Sequence, residues 1–90
     1  MNYNFKIYGK KNCVNCDKMK QICIENKKDY LYFELDKDFQ RSDYVFFWKS
    51  VDKENRQYPI IEYKGFLISY KLFIKLYLNE FLDGGIKEIE

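Results

Sequence analysis

The stretch Lys10-Lys11-Asn12-Cys13-Val14-Asn15-Cys16 places two cysteines three residues apart. Strand-forming residues 3–8 precede it, and residues 17–27 after it have the apolar spacing of a helix. The two thiols are therefore expected where a strand passes into a helix. The unpaired N–H groups and the dipole at a helix start favour negative charge, and so favour thiolate, the reactive form of cysteine.

This Cys-x-x-Cys spacing predicts a redox dithiol with unequal partners. Cys13 is expected to be the exposed thiol at the start of the helix, and Lys10 and Lys11 add positive charge beside it. Cys16 lies one turn further on and is expected to be less exposed. Cys13 would attack a substrate disulfide, and Cys16 would then attack the mixed disulfide and release the reduced substrate.

The flanking elements of the first half predict a strand–helix–strand unit. Met19, Ile22 and Cys23 share one face of the helix, so Cys23 is interpreted as a core residue. The aromatic-rich residues 30–35 form the second strand. A connection of this length predicts a parallel strand pair with a right-handed crossover.

The second half predicts a short helix, a β-hairpin and a last helix. Asp38 or Ser42 is expected to cap the short helix. Tyr44, Val45, Trp48 and Val51 have the spacing of a helix. Strands are predicted at 58–63 and 66–68, with Gly65 in the turn between them. A helix is predicted at 70–82, with Phe73, Leu76, Tyr77 and Phe81 in the core. Ser69 is expected to cap the last helix, Gly84-Gly85 to end it, and residues 86–90 to form a loose tail.

Together these elements predict an α/β fold in one domain of residues 1–90, with helices flanking a four-stranded mixed sheet in the order β-α-β-α-β-β-α. The chain is 47% hydrophobic with a net charge of +2, which is too weak to indicate nucleic-acid or membrane binding. It lacks a long apolar run and a signal-peptide pattern, so a reducing cytoplasmic location is expected. The absence of His excludes Cys–His dyads, Ser–His–Asp triads and His-ligated metals.

The motif Lys10-x-x-Cys13-Val14-x-Cys16, with Tyr58-Pro59 opening the third strand and Gly65 in the hairpin, resembles the glutaredoxin family of the thioredoxin superfamily. The Cys-Val-x-Cys motif in particular resembles that of phage glutaredoxins and of the glutaredoxin-like hydrogen donors of ribonucleotide reductase. It implies a thioredoxin-like fold and an electron-transport enzyme, a dithiol–disulfide oxidoreductase with Cys13 and Cys16 as its redox-active centre. It also implies a cis Pro59 facing the dithiol.

The same resemblance implies what the site would bind. Lys10, Tyr58 and Pro59 would contact a substrate or glutathione. Arg41 or Gln40 could reach a glutathione carboxylate from the second helix, and the alternative for both is an ordinary surface position. The substrate would be a protein disulfide, with ribonucleotide reductase as a candidate. Glutathione or thioredoxin reductase would supply the electrons, and no metal or tightly bound cofactor is expected. Ser69-Tyr70-Lys71 stands where the family usually carries Gly-Gly-Asp for glutathione.

Several alternatives stay open from the residues themselves. Cys13 and Cys16 could be a structural pair or half of a zinc site, which needs four ligands. The domain could be a protein-interaction module without redox turnover, using its aromatic residues 44–48, since aromatic side chains are enriched at interfaces. A third alternative is an iron–sulfur carrier that binds through Cys13 in a dimer. The cleft beside the dithiol is expected to be lined by Tyr8, Lys10 and Lys11. For Cys23, the alternative to a core position is a regulatory role.

Overall fold

The computed structural model describes residues 5–87, apart from the side chains of Asn55 and of residues 83–87. The strands are β1 (Phe5–Gly9), β2 (Leu31–Glu34), β3 (Ile60–Tyr63) and β4 (Phe66–Ser69), and the helices are α1 (Val14–Glu25), α2 (Val45–Lys49), α3 (Tyr70–Leu76) and α4 (Leu78–Lys87). Two 3-10 helices cover Arg41–Tyr44 and Lys53–Asn55. Residues 3 and 4 of the predicted first strand lie outside the described residues.

The four strands form one mixed sheet in the order β2-β1-β3-β4. β1 and β2 pair in parallel across α1, as the strand–helix–strand pattern predicted. β3 pairs antiparallel with both β1 and β4. The turn between β3 and β4 holds Lys64 and Gly65 at φ of 54° and 85°, the left-handed conformation that a tight hairpin requires. The prediction of a small α/β fold with a four-stranded mixed sheet is confirmed.

Two apolar clusters hold the layers together. Because side chains alternate along a strand, Phe5 and Ile7 of β1 enter one cluster and Tyr8 enters the other. The core cluster consists of Phe5, Ile7, Met19, Cys23, Ile61, Phe73 and Phe81. The cysteine cluster consists of Tyr8, Cys13, Cys16, Phe39, Trp48, Tyr58 and Ile60. The fold therefore places the dithiol inside an aromatic cluster.

The last helix differs from its prediction. It is interrupted at Tyr77, the C-cap of α3, whose φ of −119° departs from helical values, and the chain restarts as α4. Leu76, the last residue of α3, is exposed instead of entering the core, so this part of the predicted core is wrong. The expected stop at residues 84–85 is also wrong, because α4 continues through both glycines, whose low helix propensity costs only about 1 kcal/mol each. Of the expected loose tail, residues 86–87 belong to α4 and residues 88–90 lie outside the described residues.

The predicted caps have mixed outcomes. Ser69 caps α3 as expected, because its Oγ accepts a hydrogen bond from the Leu72 N–H at 3.1 Å. Neither Asp38 nor Ser42 caps the short helical region, which begins with the 3-10 helix after Gln40. The Asp38 carboxylate instead accepts from the Glu34 N–H at 2.8 Å. No helix within the described residues is long and apolar enough to cross a membrane.

Candidate functional site

Cys13 and Cys16 are joined by a disulfide at the start of α1, with their Cα atoms 5.2 Å apart. Cys13 is the N-cap residue in extended conformation, and Cys16 lies in the first turn of the helix. The Cys16 backbone N–H donates to Cys13 Sγ over 3.1 Å. α1 therefore begins at Val14 rather than at residue 17, since the Cys13 sulfur itself satisfies an unpaired N–H of the first turn.

The two cysteines differ in exposure less than expected. Cys16 is fully buried, and Cys13 is only 8% exposed. The expectation of an openly exposed Cys13 is therefore wrong, because the aromatic side chains of the cysteine cluster pack around it. Cys13 is nevertheless the more accessible of the two cysteines, as predicted, since it lines a surface groove and Cys16 does not.

The Cys13 groove is a cavity of about 740 Å³ at the start of α1. Its lining residues are Lys10, Cys13, Val14, Asn15, Arg41, Ser42, Val45, Trp48, Arg56, Gln57 and Tyr58. They come from the loop before α1, from α1 and α2, from the first 3-10 helix and from the segment before β3. The groove gives Cys13 access to a partner molecule, while Cys16 stays behind it.

Tyr58 lines the groove from the segment before β3, whereas Pro59 is fully buried and is not among the lining residues. The peptide bond before Pro59 is cis, as the resemblance to glutaredoxins implied. The Tyr58 carbonyl oxygen lies 3.7 Å from Cys13 Sγ, within reach of a hydrogen bond from a reduced thiol. Burial raises the pKa of the Tyr58 hydroxyl, and the positive charge of Arg41 opposes this shift. Tyr58 therefore contacts Cys13 through its carbonyl, and the charge of Arg41 acts on its hydroxyl.

The other predicted groove residues divide into two groups. Lys10 lines the groove, with its Nζ 5.9 Å from the centroid of the Tyr58 ring, and Arg41 lines it from the 3-10 helix. Lys11 and Gln40 are not among the lining residues. Tyr8 belongs to the cysteine cluster, but its hydroxyl points to the Glu62 carboxylate, to which it donates at 3.0 Å. Of the predicted binding residues, Lys10, Arg41 and Tyr58 therefore line the groove.

Several groove residues could not be assigned from the sequence. Trp48 is buried against Tyr58, with ring centroids 5.1 Å apart, and the helical spacing of residues 44–51 indicated only that it faces inward. Arg56 is in the charged stretch 52–57, whose residue pattern is typical of a loop and does not mark a groove residue. In the aromatic residues 44–48, the side chain of Phe46 is 82% exposed. The ring of Phe47 instead packs on that of Trp48, with the ring centroids 5.3 Å apart.

Cys23 is separate from the dithiol. It is fully buried in the core cluster beside Met19, so its interpretation as a core residue is confirmed. Burial raises the pKa of Cys23 to about 12, and the positive charge of Lys28 opposes this only in part. In the described part of the chain, no three side chains of Cys, Asp, Glu or His are grouped so as to hold a metal ion.

Gly9 is a further residue on which the dithiol depends. A Cβ atom at this position would lie 2.9 Å from Cys16 Sγ and 2.8 Å from Cζ of Tyr32, and its nearest neighbour would be the Tyr32 hydroxyl oxygen. Real Cβ contacts are essentially never that short. The end of β1 can approach the Cys16 side chain only because residue 9 has no side chain.

We expect Gly9→Ala to destabilise the protein by roughly 1–3 kcal/mol, the usual cost of overpacking a filled core. Urea unfolding of the oxidised protein measures this change. The variant Tyr32→Phe lacks the nearest clashing atom, so the same glycine substitution should cost less in that background. An equal cost in both backgrounds would contradict this account of the contact.

Comparison with models of known protein families, with curated proteins and with solved structures finds no match to this chain. The likeness to glutaredoxins therefore depends on the motif residues quoted above. The geometry of the dithiol and its groove carries the functional proposal.

Proposed function

We propose that this protein is a glutaredoxin-like dithiol–disulfide oxidoreductase that reduces protein or mixed disulfides through Cys13 and Cys16. One observation carries the proposal. The Cys13 sulfur lies at the first turn of α1, accepts the Cys16 N–H at 3.1 Å, and lines an open groove within bonding reach of a buried second sulfur. That geometry favours a stabilised nucleophile in front and a protected thiol behind it.

The arrangement of the sheet supports a thioredoxin-like topology for the same proposal. The dithiol follows β1, a central strand that lies between parallel β2 and antiparallel β3. The hairpin of β3 and β4 then leads into α3. The segment that opens β3 reaches the dithiol through the Tyr58 carbonyl. Such a central position lets the rigid sheet fix both walls of the site.

The proposed reaction is two successive thiol–disulfide exchanges. The Cys13 thiolate attacks one sulfur of the substrate disulfide, the substrate S–S bond breaks, and the departing substrate thiolate takes up a proton. Cys16 then loses its proton and attacks Cys13 Sγ, which expels the second substrate thiolate. Two electrons have passed to the substrate, and Cys13–Cys16 is left as the disulfide. An external dithiol or two thiol molecules return it to the reduced form.

The groove explains why Cys13 and not Cys16 would react first. Attack on a disulfide requires the thiolate and access to a partner sulfur, and only Cys13 faces the groove. The N–H of Cys16 would stabilise a charge on Cys13 by a hydrogen bond to sulfur. Full burial would keep Cys16 from external disulfides until a mixed disulfide brings an electrophilic sulfur next to it.

The partners belong to this proposal too. A protein disulfide, with ribonucleotide reductase as a candidate, is the proposed substrate. Glutathione and thioredoxin reductase are the candidate electron donors. The chemistry needs no tightly bound cofactor, because both electrons are held by the sulfur pair. It fits a reducing compartment such as the cytoplasm, where dithiols are kept available, and that location stays a prediction.

The proposal is tested by a coupled assay on the wild-type chain. The oxidised protein is mixed with a protein disulfide, NADPH, and either glutathione with its reductase or thioredoxin reductase. We expect NADPH consumption that depends on the protein with at least one donor system. Failure to turn over with both donors would favour the alternative of an interaction module with a redox-inert disulfide.

A second prediction concerns the reactivity of the three thiols after reduction. We expect iodoacetamide to modify Cys13 at neutral pH faster than free cysteine, because its thiolate is stabilised at the helix start. Cys23 should stay unmodified in the folded protein, since its burial raises the pKa of the thiol to about 12. Mass spectrometry of digests over a pH series measures both rates. Faster modification of Cys23 than of Cys13 would contradict the proposed site.

A further inference from the structure

Three cationic side chains surround Cys13 in the groove. Lys10 comes from the loop before α1, Arg41 from the first 3-10 helix and Arg56 from the segment before β3. All three residues are exposed. No Asp or Glu is among the described residues that line the groove. The wall around the reactive sulfur is therefore of one charge sign, although the whole chain carries a net charge of only +2.

Among the described residues, none of the three groove cations forms an ion pair. The ion pairs of the described residues are Lys6–Glu62, Lys20–Asp17 and Lys64–Glu80, and they leave the groove cations out. Arg56 Nε donates to the Val51 carbonyl at 2.8 Å, which holds the guanidinium group in place without cancelling its charge. A cleft lined by a single sign of charge concentrates ligands of the opposite sign.

Apolar side chains lie among the cations. Val14 is 68% exposed and Val45 is 41% exposed, and both line the groove together with the buried Trp48. A small anion would leave these surfaces in water. A polypeptide segment with acidic and apolar side chains would cover them, because its backbone spans the groove while its side chains reach both kinds of surface.

We propose that the natural substrate is a disulfide carried by an extended polypeptide segment with Asp or Glu residues next to the attacked cysteine. This rests on the proposed function and names the substrate class of the same site. The carboxylates take no part in the exchange of electrons. They would pair with Lys10, Arg41 and Arg56, and so place the substrate sulfur against Cys13. Arginine suits this role, since its planar group binds a carboxylate through two hydrogen bonds.

The test compares two synthetic peptides of equal length, each with one intramolecular disulfide. Glu flanks the cysteines in the first peptide and Lys flanks them in the second. At low salt we expect kcat/KM for the Glu peptide to exceed that for the Lys peptide by roughly tenfold or more, and the ratio to shrink at high salt. Equal values would overturn the inference but leave the proposed function intact. If neither peptide nor a neutral small disulfide is reduced, the proposed function itself fails.

A second comparison tests glutathione as the ligand of the groove cations, because glutathione also carries carboxylates. The glutathione mixed disulfide of a neutral peptide is compared with the Glu peptide. A preference for the Glu peptide supports a polypeptide substrate. A preference confined to the glutathione adduct would overturn the inference, since the cations would then serve a small thiol.

Charge reversal identifies the residues responsible. We expect Arg41→Glu and Arg56→Glu each to lower kcat/KM for the Glu peptide by roughly three- to tenfold and to raise it for the Lys peptide. The matched control Lys75→Glu removes an exposed lysine of α3 that does not line the groove, and should change neither value. A far-UV circular dichroism spectrum equal to that of the wild-type protein shows that each variant is folded. Equal effects of all three substitutions would contradict the proposal.

Discussion

Replacing Cys13 with serine is expected to abolish disulfide reduction, with a loss of at least about a thousandfold, because the serine hydroxyl is not ionised near neutral pH and cannot replace the attacking thiolate. The coupled assay with a protein disulfide measures this loss. Cys23→Ala is the matched control, because it also removes one thiol but from the core cluster. It should keep most of the activity if the variant stays folded.

Cys16→Ser is expected to fail at a different step. Cys13 still faces the groove and still attacks the substrate, but no second sulfur is present to resolve the mixed disulfide. The protein should therefore accumulate as a covalent adduct with its protein substrate, visible on a non-reducing gel and reversed by dithiothreitol. Full activity of the Cys13 variant, or adducts formed through Cys23, would exclude the proposed roles.

The sequence predicted the site best where one local pattern determines it. Cys13 and Cys16 are three residues apart at a strand–helix junction, and this spacing across the first helical turn places their Cα atoms within disulfide range. The alternation in β1 and the helical face of Met19 and Cys23 likewise predicted which side chains enter the core. These features depend on neighbours within one or two turns of the chain.

Features that depend on distant segments could not be predicted. Arg56 reaches the groove only because the segment before β3 packs beside the start of α1, and no local pattern distinguishes it from a solvated arginine. The burial of Cys13 follows from aromatic residues of other elements. The break at Tyr77 is likewise not marked by proline or glycine, so the periodicity of residues 70–82 indicated one continuous helix.

The largest expected effect on stability comes from Phe73→Ala. Phe73 is fully buried, and its ring centroid lies 5.3 Å from that of Phe5 and 5.5 Å from those of Tyr63 and Phe81. Removing a buried Phe side chain costs about 3–5 kcal/mol. Because small domains have a total stability of only about 5–15 kcal/mol, this variant should lose a large part of its free energy of unfolding.

Phe46→Ala provides the matched control for this prediction. It removes the same side chain from a position that is 82% exposed, so its free energy of unfolding should change by no more than about 0.5 kcal/mol. Urea denaturation followed by far-UV circular dichroism measures both variants. Equal destabilisation would mean that Phe46 is packed in solution, and would contradict the placement of α2. A large loss for Phe73 alone would show that the helix after β4 secures the sheet on which Cys13 and Tyr58 are held.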